Sequence, residues 1–175
     1  MSDTPREPSG RAYRLTVLLG LFASAATWIW LALTAPDRVP THWSGETPDG
    51  WSSKPAALAI CGLLLPGVAL GISQLSRLAT AWPESINVPH KQWWLAEPRR
   101  LVRFERLLRE DMLLIAASLL GLSALMNVTI GIAAHRPDGA MPTAVFAAAM
   151  VLVLGSVLAV VTRMLLGRYD PTDDL

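Results

Sequence analysis

Residues 15–36 read LTVLLGLFASAATWIWLALTAP, a run without Asp, Glu, Lys or Arg. Three further runs, 55–76, 112–135 and 139–162, also lack these charged residues, and each of the four is 22 to 24 residues long. A helix rises about 1.5 Å per residue, so 22 residues reach about 33 Å and cross a hydrocarbon core of about 30 Å. A helix of a soluble domain carries charge on its wet face, and these runs carry none. The sequence therefore predicts an integral membrane protein with four spanning helices.

The composition agrees with this class. Hydrophobic residues make up 52% of the chain and charged residues 17%, whereas soluble domains have about 25% charged residues. The first apolar run is longer than the core of a cleavable signal peptide and no A-x-A site follows it, so we expect it to be retained. The predicted fold is an all-α integral membrane protein in which four helices form a small bundle. The predicted spans are about 15–35, 55–76, 112–134 and 142–165.

The basic residues are distributed unevenly and predict the orientation. Of the 15 Lys and Arg residues, only Arg38, Lys54 and Arg136 fall in the connections after spans one and three, and the other twelve lie on the opposite side. The positive-inside rule puts the side with twelve in the cytoplasm. We read this charge as an orientation signal in contact with anionic lipid, with no reason to expect nucleic acid. The predicted cytoplasmic segments are the lead 1–14, the loop 77–111 and the tail 169–175, and the predicted outer loops are 36–54 and 135–141.

The sequence carries no familiar catalytic pattern. It lacks G-x-S-x-G, H-E-x-x-H, a P-loop and C-x-x-C. The apolar runs hold no carboxylate, Lys or Arg, which argues against a self-sufficient ion-coupled transporter. The single Cys61 offers no disulfide framework and is expected to be a small buried hydrophobe. We therefore expect neither enzymatic activity nor a cofactor.

Small and polar residues in the spans predict helix contacts. Pro66 should kink the second span, and a small-x-x-x-small step follows it. A polar and small stripe at four-residue steps runs along the third span. Its deepest polar member, Asn127, is expected to form an inter-helix hydrogen bond, with contact to a ligand as the alternative. The residues with a predicted packing role are Pro66, Gly67, Gly71, Ser123, Asn127 and Gly131.

The first outer loop holds too many large and charged side chains for a passive tether. Residues 39–43 can extend, 48–50 read Pro-Asp-Gly and predict a turn, and Trp51 is expected to fold back beside Trp43. A structural cap, which is compatible with an external recognition surface, is the favoured interpretation. The alternative is a metal site, although the spacing matches no specific motif. Its ligands would be His42 with Asp37, Glu46 or Asp49, and with His135 from the third loop.

The predicted cytoplasmic loop has two parts. Residues 82–95 are irregular and rich in aromatics, and after Pro98 an amphipathic helix is predicted over 99–109. Leu101, Phe104 and Leu108 recur at helical spacing, with arginines on the other side. We expect this basic helix to lie along the inner membrane surface and to run into span three. A lipid-surface connector and a docking face for a cytosolic partner remain open as its role.

Two blocks of the sequence resemble a bacterial membrane family, domain of unknown function 1648. The first block reads PDRVPTHW at 36–43 and continues with Gly45, PDGW at 48–51 and Lys54. The second reads INVPHKQWWL at 86–95, followed by PRR at 98–100, and is similar to a cytoplasmic N-x-P-x-K-x-x-W-L segment of the family. The blocks and their flanking spans cover about 20–110.

The resemblance extends to the amino-terminal part of SdpI-type immunity proteins. Such proteins protect a producing cell from a secreted membrane-active peptide toxin and hold a small DNA-binding repressor at the membrane. The chain is short, and we expect it to lack the further carboxy-terminal membrane module of SdpI. The resemblance implies an outer loop that meets an extracellular ligand and an inner loop that meets a cytosolic regulator.

Three functional hypotheses follow. The first is a non-enzymatic immunity or sensing protein of the bacterial inner membrane. The second is an accessory subunit of a larger membrane transport or envelope complex, and the third is a metal-dependent membrane enzyme. Under the first hypothesis, the ligand-binding residues are His42, Trp43, Asp49 and Trp51, and the partner-binding residues are Asn87, Lys91, Trp93, Trp94, Arg99 and Arg100.

Overall fold

The computed structural model describes residues 6–171, so the ends of the predicted lead and tail, 1–5 and 172–175, lie outside the described residues. Six α-helices, one antiparallel pair of strands and one 3₁₀ turn follow in chain order. They are α1 (Arg11–Thr34), β1 (Arg38–Ser44), β2 (Thr47–Ser53), α2 (Lys54–Gln74), α3 (Ser76–Ala81), the 3₁₀ turn (Pro83–Ser85), α4 (Lys91–Leu95), α5 (Pro98–Ala134) and α6 (Thr143–Leu165).

Four helical segments are long and apolar enough to cross a membrane, which confirms the multi-pass prediction. They are α1, α2 together with α3, α5 and α6. Large apolar side chains on α1, α2 and α6 are exposed, among them Phe22, Leu63 and Leu152. In a membrane this surface faces lipid, since hydrocarbon tails solvate apolar side chains as well as a protein core does.

Helix α5 is the centre of the molecule. It packs against α1, α2, α3 and α6, and α6 packs mainly on α5. Its 37 residues correspond to about 55 Å of helix, well beyond the thickness of a hydrocarbon core. No proline interrupts it after Pro98, which stands in the first turn, where its missing N–H costs nothing.

The predicted basic helix over 99–109 is therefore the first part of α5. Its apolar stripe packs inside the protein: Phe104 is buried in a cluster with Ala79, Trp94 and Tyr169, and Leu101 and Leu108 are partly buried against that cluster. The expectation that the stripe rests on the membrane surface is wrong in this structure, because α3, α4 and the segment after α6 cover it.

The loop after the first span, 36–54, contains a β-hairpin, so the chain is mostly helical rather than all-α. Strands β1 and β2 pair antiparallel, and Ser44 opposite Thr47 closes a two-residue loop. Gly45 opens that loop with φ +63°, and glycine is favoured at such a position because it has no Cβ. The predicted Pro-Asp-Gly turn is wrong, since residues 48–50 lie within β2.

Both described ends of the chain lie at one end of the bundle, here called the terminal end. Glu110 accepts a hydrogen bond from the Gly10 backbone N–H at 3.1 Å and another from Arg168 at 2.7 Å. The opposite end carries β1, β2 and the α5–α6 connection, and is called the hairpin end. The charge distribution predicts that the terminal end faces the cytoplasm.

Candidate functional site

The hairpin is fastened to the α5–α6 connection. Trp43 donates its indole N–H to the carbonyl oxygen of Gly139 at 2.9 Å. Glu46, in the hairpin loop, accepts from the Met141 backbone N–H at 3.0 Å and, through its carboxylate, from the Thr143 hydroxyl at 2.7 Å. The hairpin is thus held at its loop as well as at its base, and Trp43 acts as an anchor rather than as an open recognition residue.

The other face of the hairpin carries an exposed pair of polar side chains. His42 Nδ1 lies 2.5 Å from Asp49 Oδ1, and the two side chains are 74% and 47% exposed. Gly50 lies opposite His42, and a Cβ there would come within 2.7 Å of the His42 Cβ, so the close pairing of the strands requires glycine. The arrangement presents an imidazole and a carboxylate side by side on a fixed backbone.

Trp51 lies at the edge of this surface and is 41% exposed. Its strand partner is Pro40, and that of Trp43 is Pro48. The expected position of Trp51 beside Trp43 stays a prediction. Arg38 lies over its ring, 5.5 Å from the centroid, and a Cβ on Gly139 would come within 2.7 Å of the ring. Of the predicted ligand-binding residues, His42 and Asp49 are exposed and in contact, whereas Trp51 and the partly buried Trp43 both contact Gly139.

His135 is engaged elsewhere. Its Nδ1 lies 2.6 Å from the carbonyl oxygen of Gly131 and its Nε2 lies 3.0 Å from that of Thr34, so the ring joins α5 to α1. Among residues 6–171, no group of three or more His, Cys, Asp or Glu side chains is placed to hold a metal ion. The metal-enzyme hypothesis is left without a ligand set in the described part of the chain.

The polar stripe of the third span packs against α1. Ser24 donates to Ser123 Oγ at 2.9 Å, and the Asn127 amide donates to the Ser24 carbonyl oxygen at 3.4 Å. A Cβ on Gly131 would overlap the ring of Trp30, so glycine allows the two helices to approach closely. These three stripe residues therefore lie at the α1–α5 contact.

The predicted contact residues of the second span lie differently. A Cβ on Gly67 or Gly71 would meet nothing within 4 Å, so neither glycine lies at a helix contact among the described residues. Pro66 lies inside α2, which stays helical on both sides of it. The small step of α2 faces outward, and its packing role stays a prediction for contact with another molecule.

The hairpin and the adjoining parts of α1 and α2 are similar to a known family. Residues 19–65 match the family model described as Domain of unknown function (DUF1648). This confirms the resemblance for α1, the hairpin and the first half of α2. The second block, 86–100, lies outside the DUF1648 segment, and its resemblance stays a prediction. No curated protein and no solved structure matches the chain.

The terminal end, outside the DUF1648 segment, holds the predicted partner-binding residues. Trp94 is 1% exposed and donates its indole N–H to the Tyr169 carbonyl oxygen at 3.1 Å, so it is a core residue here rather than a surface contact. Arg100 stacks over Trp93, with 4.3 Å from its guanidinium carbon to the ring centroid. Lys91 donates to the Glu84 carbonyl oxygen at 2.6 Å.

The remaining two predicted partner-binding residues lie on the surface. Asn87 and Arg99 are exposed, and Arg99 contacts Glu97 at 2.8 Å. Together with the partly exposed Lys91, Trp93 and Arg100, they form an accessible basic and aromatic surface. Trp94 supports this surface from below.

Three buried carboxylates at the terminal end were missed in the sequence. Glu105 is 1% exposed and forms ion pairs with Arg6 and, at 2.8 Å, with Arg109, while Ser76 donates to it at 3.2 Å. Glu110 accepts hydrogen bonds from Gly10 and Arg168, as described above. The one local signal for this network was the four-residue spacing of Glu105 and Arg109.

Asp111 is the most enclosed of the three. It is 0% exposed, accepts a hydrogen bond from the Tyr169 hydroxyl at 2.7 Å, and lies 3.5 Å from the Arg168 guanidinium. Burial, followed by the hydrogen bond to Asp111, raises the pKa of Tyr169 well above its ordinary value. Burial acts to lower the pKa of Arg168, but its hydrogen bond to Glu110 and the charge of Asp111 raise it on balance.

Proposed function

We propose that this protein is a non-enzymatic immunity or sensing protein of the bacterial inner membrane. Its hairpin recognises an extracellular peptide or envelope component, and its terminal end couples to a cytosolic partner. The match to DUF1648 supports the family resemblance from which this proposal starts. It assigns no activity, since the family is described as being of unknown function.

The observation that carries the proposal is the contrast between the two faces of the hairpin. One face is fastened to the α5–α6 connection through Trp43 and Glu46. The other presents His42 and Asp49 on a backbone that is already ordered, and Trp51, whose ring contacts Gly139 of the same connection, lies at the edge of this pair. Preorganised polar and aromatic side chains bind a ligand at a low cost in conformational entropy, which suits a recognition surface.

The surface at the terminal end supports the second half of the proposal. Asn87, Lys91 and Arg99 lie outside the buried cluster around Phe104 and are accessible to a soluble protein. Arginine and tryptophan are enriched at the centres of protein interfaces, which fits the stacked pair of Arg100 and Trp93. An acidic patch on a cytosolic regulator would match the charge of this surface.

A deletion strain complemented with variants tests recognition at the hairpin. We expect loss of the gene to sensitise the producing cell to its cognate peptide toxin, and expect Asp49→Asn to complement poorly. Asp37→Asn changes an exposed carboxylate just before β1 and is the matched control, expected to complement fully. Equal survival of the deletion strain and wild type, at equal exposure to the toxin, contradicts the immunity proposal.

The coupling half needs its own experiment. Affinity purification of the tagged protein from membranes should recover one cytosolic regulator, and Arg99→Glu should reduce its recovery while the protein level stays constant. Recovery of no regulator by the wild type counts against coupling.

The accessory-subunit hypothesis remains the second candidate because the small-x-x-x-small step of α2 faces outward. Gly67 and Gly71 leave the helix backbone open on the exposed surface, which suits close contact with a helix of another membrane protein. Purification in mild detergent should then yield a larger complex that Gly71→Leu disrupts. A single species of the mass of this chain, unaffected by Gly71→Leu, counts against this candidate.

A further inference from the structure

A cavity of about 310 Å³ lies between α2 and α5, with Thr41 of β1 at its edge. Its volume falls at the lower end of the range of small-ligand pockets. Most of its lining is aliphatic. On the α2 side it includes Ile60 and Leu64, whose residues are 56% and 60% exposed on the apolar surface of the helix. The cavity therefore borders the surface that lipid covers.

The α5 side of the cavity contains a buried acceptor without a donor. Asn127 is 1% exposed and lines the cavity. Its Nδ2 donates to the carbonyl oxygen of Ser24 at 3.4 Å and to the Thr27 hydroxyl at 3.3 Å, both on α1. Its Oδ1 has no hydrogen-bond partner among residues 6–171.

The orientation of this amide follows from its neighbours. A carbonyl oxygen only accepts, so the group facing Ser24 O must be the NH₂ and not the oxygen. The amide oxygen is thus directed away from these α1 partners. An unpaired acceptor in an apolar surrounding costs about 1–3 kcal/mol, so a donor supplied by a ligand would be strongly favoured there.

We propose that this cavity is a binding site for an apolar amphiphile that enters from the bilayer and donates one hydrogen bond to Asn127 Oδ1. The ligand class is a compact hydrocarbon chain or ring with a hydroxyl or similar donor. Ser123 provides a second polar group in the lining, and its hydroxyl accepts from Ser24. This inference does not rest on the recognition role of the hairpin.

Photolabelling of the purified full-length protein in detergent tests the proposal. The probe is an eight-carbon diazirine alcohol, and the matched reagent is its methyl ether, which has the same chain and no donor. Mass spectrometry of peptides locates the label. We expect the alcohol to label α2 and α5 around the cavity about fivefold more strongly than the ether, as one added hydrogen bond predicts.

Substitutions test the contribution of the Asn127 hydrogen bond and that of the cavity volume separately. Asn127→Leu should bring the alcohol-to-ether ratio close to one. The matched control is Thr129→Val on the same helix, since Thr129 is buried and its hydroxyl donates to the Leu125 carbonyl oxygen instead. Cys61→Phe should fill the cavity from α2 and reduce labelling by both reagents.

Two results overturn the proposal. One is an alcohol-to-ether ratio near one in the wild type, and the other is labelling of the exposed surface of α6 as strong as that of α2 and α5. If Asn127→Leu does not fold, the wild-type ratio and the loss of label in Cys61→Phe decide the outcome. Unchanged labelling in a folded Cys61→Phe protein would place the amphiphile outside the cavity.

Discussion

Tyr169 donates its phenolic hydrogen to Oδ2 of Asp111 across 2.7 Å, and so joins the segment after α6 to the middle of α5. Asp111 directly precedes the third apolar run and has no exposed surface. A buried carboxylate requires partners, and Tyr169 acts here together with Arg168 and Arg163, which lie 3.5 and 3.7 Å from the other carboxylate oxygen. The end of α6 is therefore held by a polar contact inside an otherwise aromatic cluster.

Tyr169→Phe keeps the ring and removes this hydrogen bond. We expect a loss of about 1–3 kcal/mol in the free energy of unfolding, because the acceptor is charged and buried. Thermal unfolding in detergent, followed by intrinsic fluorescence, measures the change. Tyr13→Phe is the control, as the Tyr13 hydroxyl accepts a hydrogen bond from the partly exposed Arg163. An equal loss in both variants would contradict the special role of Tyr169.

The raised pKa of Tyr169 predicts an alkaline dependence of stability. A group whose pKa is higher in the folded state stabilises the fold fully below its unfolded pKa, which for tyrosine is about 10, and loses this contribution as the pH rises above it. The melting temperature of the wild type should therefore fall more steeply above pH 10 than that of Tyr169→Phe. Parallel curves for the two proteins would be inconsistent with this linkage.

Glu105→Gln removes a charge that pairs with two arginines. Breaking a buried ion pair on one side costs about 3–5 kcal/mol, because the partner charge is left uncompensated. Glu97→Gln is the matched control at the N-cap of the same helix, where the side chain is 37% exposed and a surface pair contributes at most about 1 kcal/mol. Melting temperatures of the two variants should differ clearly, and equal values would show that the Glu105 pairs are dispensable.

Gly131→Leu should separate α5 from α1, because its side chain would occupy the space of the Trp30 ring. Overpacking of this kind costs about 1–3 kcal/mol. Gly155→Leu, on α6, is the control, since a Cβ there meets nothing within 4 Å. The double variant with Trp30→Ala should recover part of the lost stability, and an additive loss would argue against a direct clash.

The orientation in the membrane is testable with single cysteines in a Cys61→Ser background. Asp49→Cys at the hairpin end and Asn87→Cys at the terminal end both replace exposed residues. A membrane-impermeant maleimide should label Asp49→Cys in intact cells, and Asn87→Cys only after permeabilisation. The reverse pattern would invert the orientation that the charge distribution predicts.

The spans were predictable because charged side chains are costly in a hydrocarbon core, so a spanning helix is a long run without them. The register of the hairpin was not. Pro48-Asp49-Gly50 is a stronger local turn signal than Gly45-Glu46, but the anchoring of Trp43 and Glu46 to the α5–α6 connection accompanies the tighter turn. Contacts between residues about a hundred positions apart are invisible to local patterns.

The arrangement of the proposed recognition surface could be predicted only in part, for the same reason. His42 and Asp49 could be chosen as unusual side chains in a short loop, yet only strand pairing shows that they touch. The buried carboxylates were missed because charged residues are ordinarily assigned to the surface. Glu105 and Asp111 become buried only when the two chain ends and α3 fold over α5.

Helix α5 is continuous, so the protein has one rigid helix that extends from the hairpin end to the terminal end. About 55 Å long, it contacts β1 at the hairpin end and α3 and α4 at the terminal end. A tilt of about 5° around its midpoint would displace each tip by about 2 Å, with no hinge to absorb the motion. A small push at the hairpin end would therefore reach the terminal end as movement of the same helix.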